Sequence, residues 1–142
     1  RTLSNEECEF DYRQSVFKKH PDWVILSVKI NLVKGEKEEI VRIMNDRQKR
    51  RNETQPLNYP SAGSVFRNPE GEFAWKLIDM IGYRGKNYGD AWVSEKHSNF
   101  IVNKGEARAS DINRLIEEII EKVKEQFDRE MVLEVEKFNW KK

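Results

Sequence analysis

Apolar and polar residues alternate along the chain in patterns that predict two helices and one buried strand. Residues 23–33, WVILSVKINLV, form a nearly continuous apolar run that is typical of a largely buried strand. Gly35 ends this run, and residues 36–54 then predict a helix with Ile40, Val41, Ile43 and Met44 on its apolar side. A second, longer helix is predicted after Ser110 as its N-cap, because apolar side chains recur at spacings of three and four: Ile112, Leu115, Ile119, Val123 and Phe127.

Shorter patterns complete the predicted set of elements. Residues 72–81 predict a short helix, and the runs AWV and NFIVN within 89–103 predict two short strands. Residues 52–71 are rich in Pro, Asn, Ser and Gly, which indicates a loop. Residues 131–138 predict a last strand, with Met131, Leu133 and Val135 on one face and Val132, Glu134 and Glu136 on the other. Helices and strands mix without a regular βαβ alternation, so the predicted fold class is α+β.

The predicted strand and helix before residue 56 have little within the chain to pack on. A strand–helix pair alone does not make a hydrophobic core, so we expect it to belong to a domain whose remainder is missing. We therefore predict a domain boundary near residue 56, with residues 1–55 as an incomplete region and residues 56–142 as a domain of their own. The opening Arg1-Thr2-Leu3-Ser4, without an initiator Met, is interpreted as a cut inside a longer chain.

Composition excludes several classes of protein. Of 142 residues, 37% are hydrophobic, which is enough for a core, and the net charge of +1 argues against a dedicated nucleic-acid or membrane-surface binder. Cys8 is the only cysteine, so no intrachain disulfide can form and a reducing cytoplasm is favoured. No apolar run approaches the roughly 20 residues that a membrane-spanning helix needs.

Taken singly, the candidate functional residues indicate no chemistry. The chain has no G-x-G-x-x-G motif and no P-loop, and His20 and His97 lack metal-ligand spacing, so no metal site is expected. The basic run at 47–51 is typical of a helix C-terminus complementing the helix dipole. Ser64 suits a turn, Arg13 suits a surface ion pair, and the two glutamates of 131–138 suit a solvated strand face.

Three stretches taken together change this interpretation. They read FDYRQSVF at 10–17, QPLNYPSAGSVFRNP at 55–69 and VSEKHSNFIVN at 93–103. In order and approximate spacing they resemble the motifs F-x-Y-R-x-S-x-F, Q-P-L-x-Y-P-S-x-G-S-V-F-x-N-P and V-S-x-K-H-x-x-F-x-V-N of the MurB family, in its shorter type that lacks the Tyr loop. The resemblance covers essentially the whole chain, with residues 1–55 similar to the end of the FAD-binding region and 56–142 similar to the substrate domain.

The resemblance implies a flavin-dependent reduction of UDP-N-acetylglucosamine enolpyruvate to UDP-N-acetylmuramate in peptidoglycan synthesis. It implies FAD, bound mainly by an N-terminal region that this chain lacks, and NADPH as the reductant, so the chain alone is expected to be inactive. Arg13 matches the family's catalytic Arg beside the substrate carboxylate, Ser64 its proton donor, and Glu136 its late Glu. Tyr12 and Asn68 match substrate-binding positions.

Three points stay open at this stage. Glu134 and Glu136 share one strand face, so periodicity cannot choose between them, although the E-x-E pattern favours Glu136. Trp75 and Asp90 stand where the family usually has glycine, and Asn139-Trp140 replaces its terminal Ile-Gly. The alternative function is a stand-alone sugar-nucleotide binding module without catalysis. Gly-rich flavin loops encoded upstream of Arg1 would decide for the enzyme.

Overall fold

A computed structural model describes residues 1–138 of the chain, and two compact units divide it, residues 1–36 and residues 37–142. The division falls before the 36–54 helix rather than near residue 56. The predicted boundary at 56 concerns domain membership within a longer protein, and it stays a prediction. Asn139 and Trp140 lie outside the described residues.

The first unit holds one short helix, α1 (Val16–Lys19), and a tight turn before it. Cys8 and Val16 are its buried apolar residues, and the Val16 N–H donates to the Cys8 carbonyl at 2.9 Å. His20 stacks on Trp23 with ring centroids 4.1 Å apart.

The strand predicted at 23–33 is wrong. The segment pairs with no strand in residues 1–138, and its apolar side chains from Val24 onward are exposed, with Leu26 at 92% and Val33 at 97%. A strand needs a neighbour to accept and donate its backbone hydrogen bonds, and the described chain supplies none here.

The second unit opens with helix α2 (Lys37–Thr54), which confirms the predicted helix but buries none of its residues. A four-stranded antiparallel sheet follows, in the order β1-β4-β3-β2: β1 (Ser61–Ser64), β2 (Asn87–Tyr88), β3 (Ala91–Val93) and β4 (Phe100–Asn103). Helix α4 (Ala109–Phe127) packs on β2 and β3 of the sheet, and helix α3 (Ala74–Met80) packs against α4. The predicted α+β class is confirmed.

Helix α4 fits its predicted pattern closely. Leu115, Ile119 and Val123 are fully buried in the core against the sheet and α3, while Ile112 and Phe127 pack at its edge. The predicted cap at Ser110 is wrong: the N-cap is Arg108, whose backbone N–H donates to the Asp111 carboxylate at 3.3 Å, and Ser110 lies inside the first turn. A carboxylate in the first turn performs the capping that the sequence pattern assigned to a hydroxyl.

Two elements differ from the sequence prediction near the loop at 52–71. Strand β1 forms inside that predicted loop, because its backbone pairs with β4. The predicted strand at 131–138 reduces to one antiparallel bridge between Phe66 and Leu133, and the chain bends at Glu134 and Val135. Met131, Leu133 and Val135 nevertheless face the core as predicted.

Asp90, one of the two departures from glycine, has a local role in this fold. Its carboxylate accepts a hydrogen bond from the Glu106 N–H at 2.7 Å, and its carbonyl accepts one from the Lys104 N–H at 2.9 Å. A Cβ at Gly105 would lie 2.5 Å from the Asp90 carboxylate, so a larger residue there would displace the Asp90 side chain. Trp75 is 40% exposed on α3, and its carbonyl accepts a bond from the Ser98 hydroxyl at 2.7 Å.

Candidate active site around Ser64 and the C-terminal segment

Ser64 is the last residue of β1 and follows an irregularity in the strand. Ser61 pairs with Val102 and Ser64 pairs with Phe100, so β1 advances by three residues where β4 advances by two. Gly63 lies between them at φ +85°, a conformation that glycine adopts without strain. Bulges of this kind redirect side chains and are common next to active sites. The local sequence Ala-Gly-Ser therefore sets where the Ser64 hydroxyl emerges.

The backbone just after Ser64 is held by one buried side chain. Asn99 accepts a hydrogen bond from the Phe66 N–H at 3.0 Å and donates one to the Phe66 carbonyl at 2.8 Å. Its own carbonyl accepts from the Val65 N–H at 2.8 Å. Asn99 is only 4% exposed, and these bonds satisfy its polar side chain in the protein interior. The amide therefore fixes the path of the chain directly beyond Ser64.

The C-terminal segment, residues 131–138, lies along the other side of this stretch. The Arg67 N–H donates to the Val132 carbonyl at 2.8 Å, and the Glu134 N–H donates to the Val65 carbonyl at 2.9 Å. Because the bridge is antiparallel, residues after Leu133 run toward the Ser64 end of the stretch. The fold thus places Glu134 beside the residues that directly follow Ser64, with Glu136 two residues further along the segment.

The two glutamates have different surroundings. Glu134 Oε2 lies 3.0 Å from Arg67 Nε, and both side chains are more than two-thirds buried. Glu136 is exposed, and no ion pair or side-chain hydrogen bond of Glu136 is found within residues 1–138. Glu134 is therefore committed to a contact inside the protein, whereas Glu136 is exposed to solvent.

Asn68 has a structural contact in this structure. Its side-chain oxygen accepts a hydrogen bond from the Ala74 N–H at 3.1 Å, which satisfies the first backbone donor of α3. The residue is exposed, and its predicted contact with substrate stays a prediction.

Tyr12 and Arg13 lie in the first unit, at the tip of a two-residue turn. The backbones of Asp11 and Gln14 exchange hydrogen bonds of 3.1 and 3.0 Å across it. Arg13 has φ +57°, a left-handed conformation that is uncommon for a long side chain and that tends to occur at functional sites. Its guanidinium carbon lies 5.4 Å from the centre of the Tyr12 ring, within cation–π range.

A cavity of about 550 Å³ lies elsewhere in the second unit, and sequence reasoning did not identify it. None of Arg13, Ser64 or Glu136 lines it. Its walls come from the end of α2, the loop at 55–59, and the residues around Lys96 and Lys104. The Lys104 ammonium lies 3.9 Å from the Trp92 ring centre, and the Lys96 ammonium donates to the Asn52 carbonyl. Both lysines are thus engaged within the protein.

The third sequence motif forms a turn between β3 and β4. The Ser94 hydroxyl accepts hydrogen bonds from the backbone N–H groups of Lys96 and His97 at 3.1 and 3.3 Å. Burial lowers the pKa of His97, so its ring is neutral near pH 7. No group of three or more His, Cys, Asp or Glu suited to a metal ion occurs among the described residues. In the same part of the chain, none of the helices combines the length and apolar character needed to cross a bilayer.

The arrangement defines an α+β domain that offers a strand-end serine and an open carboxylate from two adjoining segments. The chain belongs to the UDP-N-acetylenolpyruvoylglucosamine reductase family: the model of that family's C-terminal domain matches residues 55–138.

Relatives named UDP-N-acetylenolpyruvoylglucosamine reductase include one from Clostridium kluyveri, 50% identical over 133 residues, and one from Bacillus cereus, 48% identical over 134 residues. Each alignment covers 94% of this chain, but only 43% and 44% of the relatives. The crystal structure of UDP-N-acetylenolpyruvylglucosamine reductase (MurB) from Thermus caldophilus is similar, with a TM-score of 0.77 and 40% identity over 92% of this chain and 46% of that one. The chain therefore spans less than half the length of these relatives.

Proposed function

We propose that this chain is the substrate-side part of a flavin-dependent reductase that converts UDP-N-acetylglucosamine enolpyruvate to UDP-N-acetylmuramate at the expense of NADPH. The reaction would serve peptidoglycan synthesis in the cytoplasm. The chain is inactive without the part of the enzyme that its relatives have and this chain does not span.

One observation carries the proposal. Backbone hydrogen bonds hold the C-terminal segment against the residues that directly follow Ser64, so a hydroxyl and a carboxylate far apart in sequence come from adjoining segments. The pairing of Glu134 with Arg67 leaves Glu136 as the carboxylate open to a ligand, which supports the choice that the E-x-E pattern favoured.

The described residues do not by themselves fit FAD. None of the residues lining the cavity is a glycine, so it lacks the close-approach backbone that a pyrophosphate needs. The apolar side chains of segment 24–33 are exposed to solvent. We therefore assign the flavin, and with it the delivery of reducing equivalents, to the region outside this chain.

The residues of this chain would manage the charge and the proton of the substrate. Reduction of an enolpyruvyl double bond places negative charge on the carbon next to the carboxylate. Arg13 offers a permanent cation with a planar fork for that carboxylate, and Glu136, if protonated, hydrogen-bonds its enolate form. Ser64 would deliver a proton to the carbon, and the resulting alkoxide would take a proton back from solvent before the next turnover. A hydroxyl is a weak acid, but an enolate carbon is a base strong enough to take its proton.

The test is Ser64→Ala in the flavin-loaded enzyme of full family length. We expect reduction of flavin by NADPH to be nearly unchanged, because that half-reaction needs no proton from Ser64. Oxidation of the flavin by substrate should slow by about two to four powers of ten, the usual cost of losing a positioned proton donor. Stopped-flow absorbance of the flavin separates the two half-reactions.

Ser61→Ala is the matched control, since Ser61 lies on the same strand and is exposed. It should leave both half-reactions within about threefold of the unaltered enzyme, as expected for a surface change. Normal substrate turnover in Ser64→Ala, or equal slowing of both half-reactions, would refute the proposed role of Ser64.

A further inference from the structure

We propose that Arg67 is a positioning residue: its ion pair with Glu134 holds the C-terminal segment, which carries Glu136, against the residues that directly follow Ser64. This inference rests on the proposed function, because it assumes that a carboxylate at this place takes part in the reaction.

Arg67 contacts the C-terminal segment through both its backbone and its side chain. Its backbone N–H bonds to the Val132 carbonyl at 2.8 Å, and its side chain meets Glu134 at 3.0 Å. The Phe66–Leu133 bridge lies between these contacts and faces the core. Arg67 therefore contacts the C-terminal segment on both sides of Leu133.

The ion pair differs from the surface pairs of this protein. Arg67 Nε and Glu134 Oε2 are both shielded from solvent, and the two side chains are 29% and 27% exposed. By contrast, Arg42 of α2 pairs with Glu39 while both side chains are more than half exposed. A shielded charge that loses its partner is far more costly than an exposed one, so the Arg67 pair restricts the position of its segment.

The ion pair also gives the two glutamates of the E-x-E pattern different surroundings. In the present register Arg67 lies opposite Val132, and its side chain reaches diagonally to Glu134. A shift of the C-terminal segment by two residues would keep every side chain on its original face but would break this shielded pair. In the present register Glu134 is held by Arg67, whereas Glu136 stays exposed.

The test uses the full-length flavin-loaded enzyme with three variants: Arg67→Met, Glu134→Gln, and the reversed pair Arg67→Glu with Glu134→Arg. We expect each single change to slow substrate reduction about 10- to 100-fold, the scale of a misplaced reacting group, while flavin reduction by NADPH stays unchanged. The reversed pair should recover to within about tenfold of the unaltered enzyme, because it restores an attraction at the same place. Arg42→Met is the matched control and should change neither half-reaction.

Other outcomes are separable. Equal slowing of both half-reactions by the single changes, or no recovery in the reversed pair, would show that the ion pair acts on folding alone and would overturn the proposal. Normal rates in the single changes would do the same. If Ser64→Ala and Glu136→Gln also react normally, the proposed function fails with it. If those two lose substrate reduction while Arg67→Met keeps it, only the positioning role is refuted. Should Arg67→Met fail to fold, Glu134→Gln and the reversed pair decide.

Discussion

Segment 24–33 and helix α4 carry seven and eight apolar residues, but these residues have opposite surroundings. In α4, Leu115, Ile119 and Val123 are completely buried, whereas Leu26 and Val33 of the segment are almost completely exposed. The difference lies in their neighbours, because α4 packs on β2, β3 and α3, while segment 24–33 pairs with no strand among residues 1–138. Apolar character in a sequence thus shows that a segment is to be buried, but not that its partner belongs to the same chain.

Helix α2 stands between these extremes. It forms without burying a single residue, and Arg42 bonds both Glu39 and Asp46 along its exposed surface. Local propensity and side-chain pairs of this kind support a helix without supplying a core. Its apolar residues, such as Met44 at 64% exposure, are exposed to solvent, as are those of segment 24–33.

The largest difference between the two regions should appear in hydrogen exchange of the 142-residue chain. Amides of Leu115 to Val123 should open only with global unfolding, which costs about 5–15 kcal/mol in a typical domain. Amides of Ile25 to Val33 have no backbone acceptors among the described residues, and their opening free energy should be about zero. Mass-spectrometric exchange of the two peptides measures both values.

Equal protection of the two peptides would contradict the contrast between the buried helix α4 and the exposed segment 24–33. It would mean that segment 24–33 folds onto a partner, either in this chain or in a second copy. Exchange at two protein concentrations distinguishes these cases, because only association depends on concentration.

Truncating one leucine in each region should give the next largest contrast. Leu115→Ala should lower the free energy of unfolding by about 2–5 kcal/mol, because it removes core contacts and leaves a cavity. Leu26→Ala is the matched control and should change it by less than about 0.5 kcal/mol, since Leu26 is 92% exposed. Urea titrations of the three proteins give these values, and a cost above about 1 kcal/mol in Leu26→Ala would show that segment 24–33 is buried in solution.

The accuracy of sequence prediction also differs between elements that have packing partners within the chain and elements that do not. Helix α4 and strands β3 and β4 were predictable, because their spacing and their partners both lie within the chain. The strand at 23–33 was wrongly predicted, because the pattern reports apolar character and not the absence of a neighbour. Strand β1 was missed, because Ser, Ala and Gly carry no strand signal and only pairing with β4 orders them.

The sequence motifs nominate residues for the candidate site, but they do not give its geometry. The motifs selected Ser64 and Glu136, yet their adjoining segments depend on hydrogen bonds between residues near 66 and near 133, which no local pattern encodes. The ion pair of Arg67 with Glu134 was equally out of reach, since a period of two treats Glu134 and Glu136 alike. Long-range contacts therefore assign different surroundings to residues that look equivalent in sequence.

The second unit also contains a polar cluster around Glu118. Glu118 on α4 accepts hydrogen bonds from Lys86 at 2.6 Å, Tyr88 at 2.6 Å and Tyr83 at 3.1 Å, and Arg114 approaches it at 3.3 Å. These donors lower the pKa of Glu118 from 4.5 to about 2, with the hydrogen bond from Lys86 as the largest cause. The cluster ties α4 to β2 and to the turn before it.

The smallest predicted effect concerns Glu118 and depends on pH. Its pKa is lower in the folded chain than in the unfolded one, so its stabilisation is fully present above about pH 4.5 and is lost as the pH falls toward 2. A shift of this size corresponds to roughly 3 kcal/mol, but the carboxylate is 24% exposed and Lys86 is 34% exposed. Solvent screening reduces the expected cost of Glu118→Gln to about 1–2 kcal/mol at pH 7.

Urea titrations at pH 7, 4 and 2.5 should show the difference from the unaltered chain shrinking as the pH falls, because protonation makes Glu118 neutral like Gln. Glu121→Gln, an exposed change on the same helix, should show no such trend. A difference for Glu118→Gln that stayed constant with pH would mean that the amide disturbs packing and that the charge of Glu118 contributes nothing.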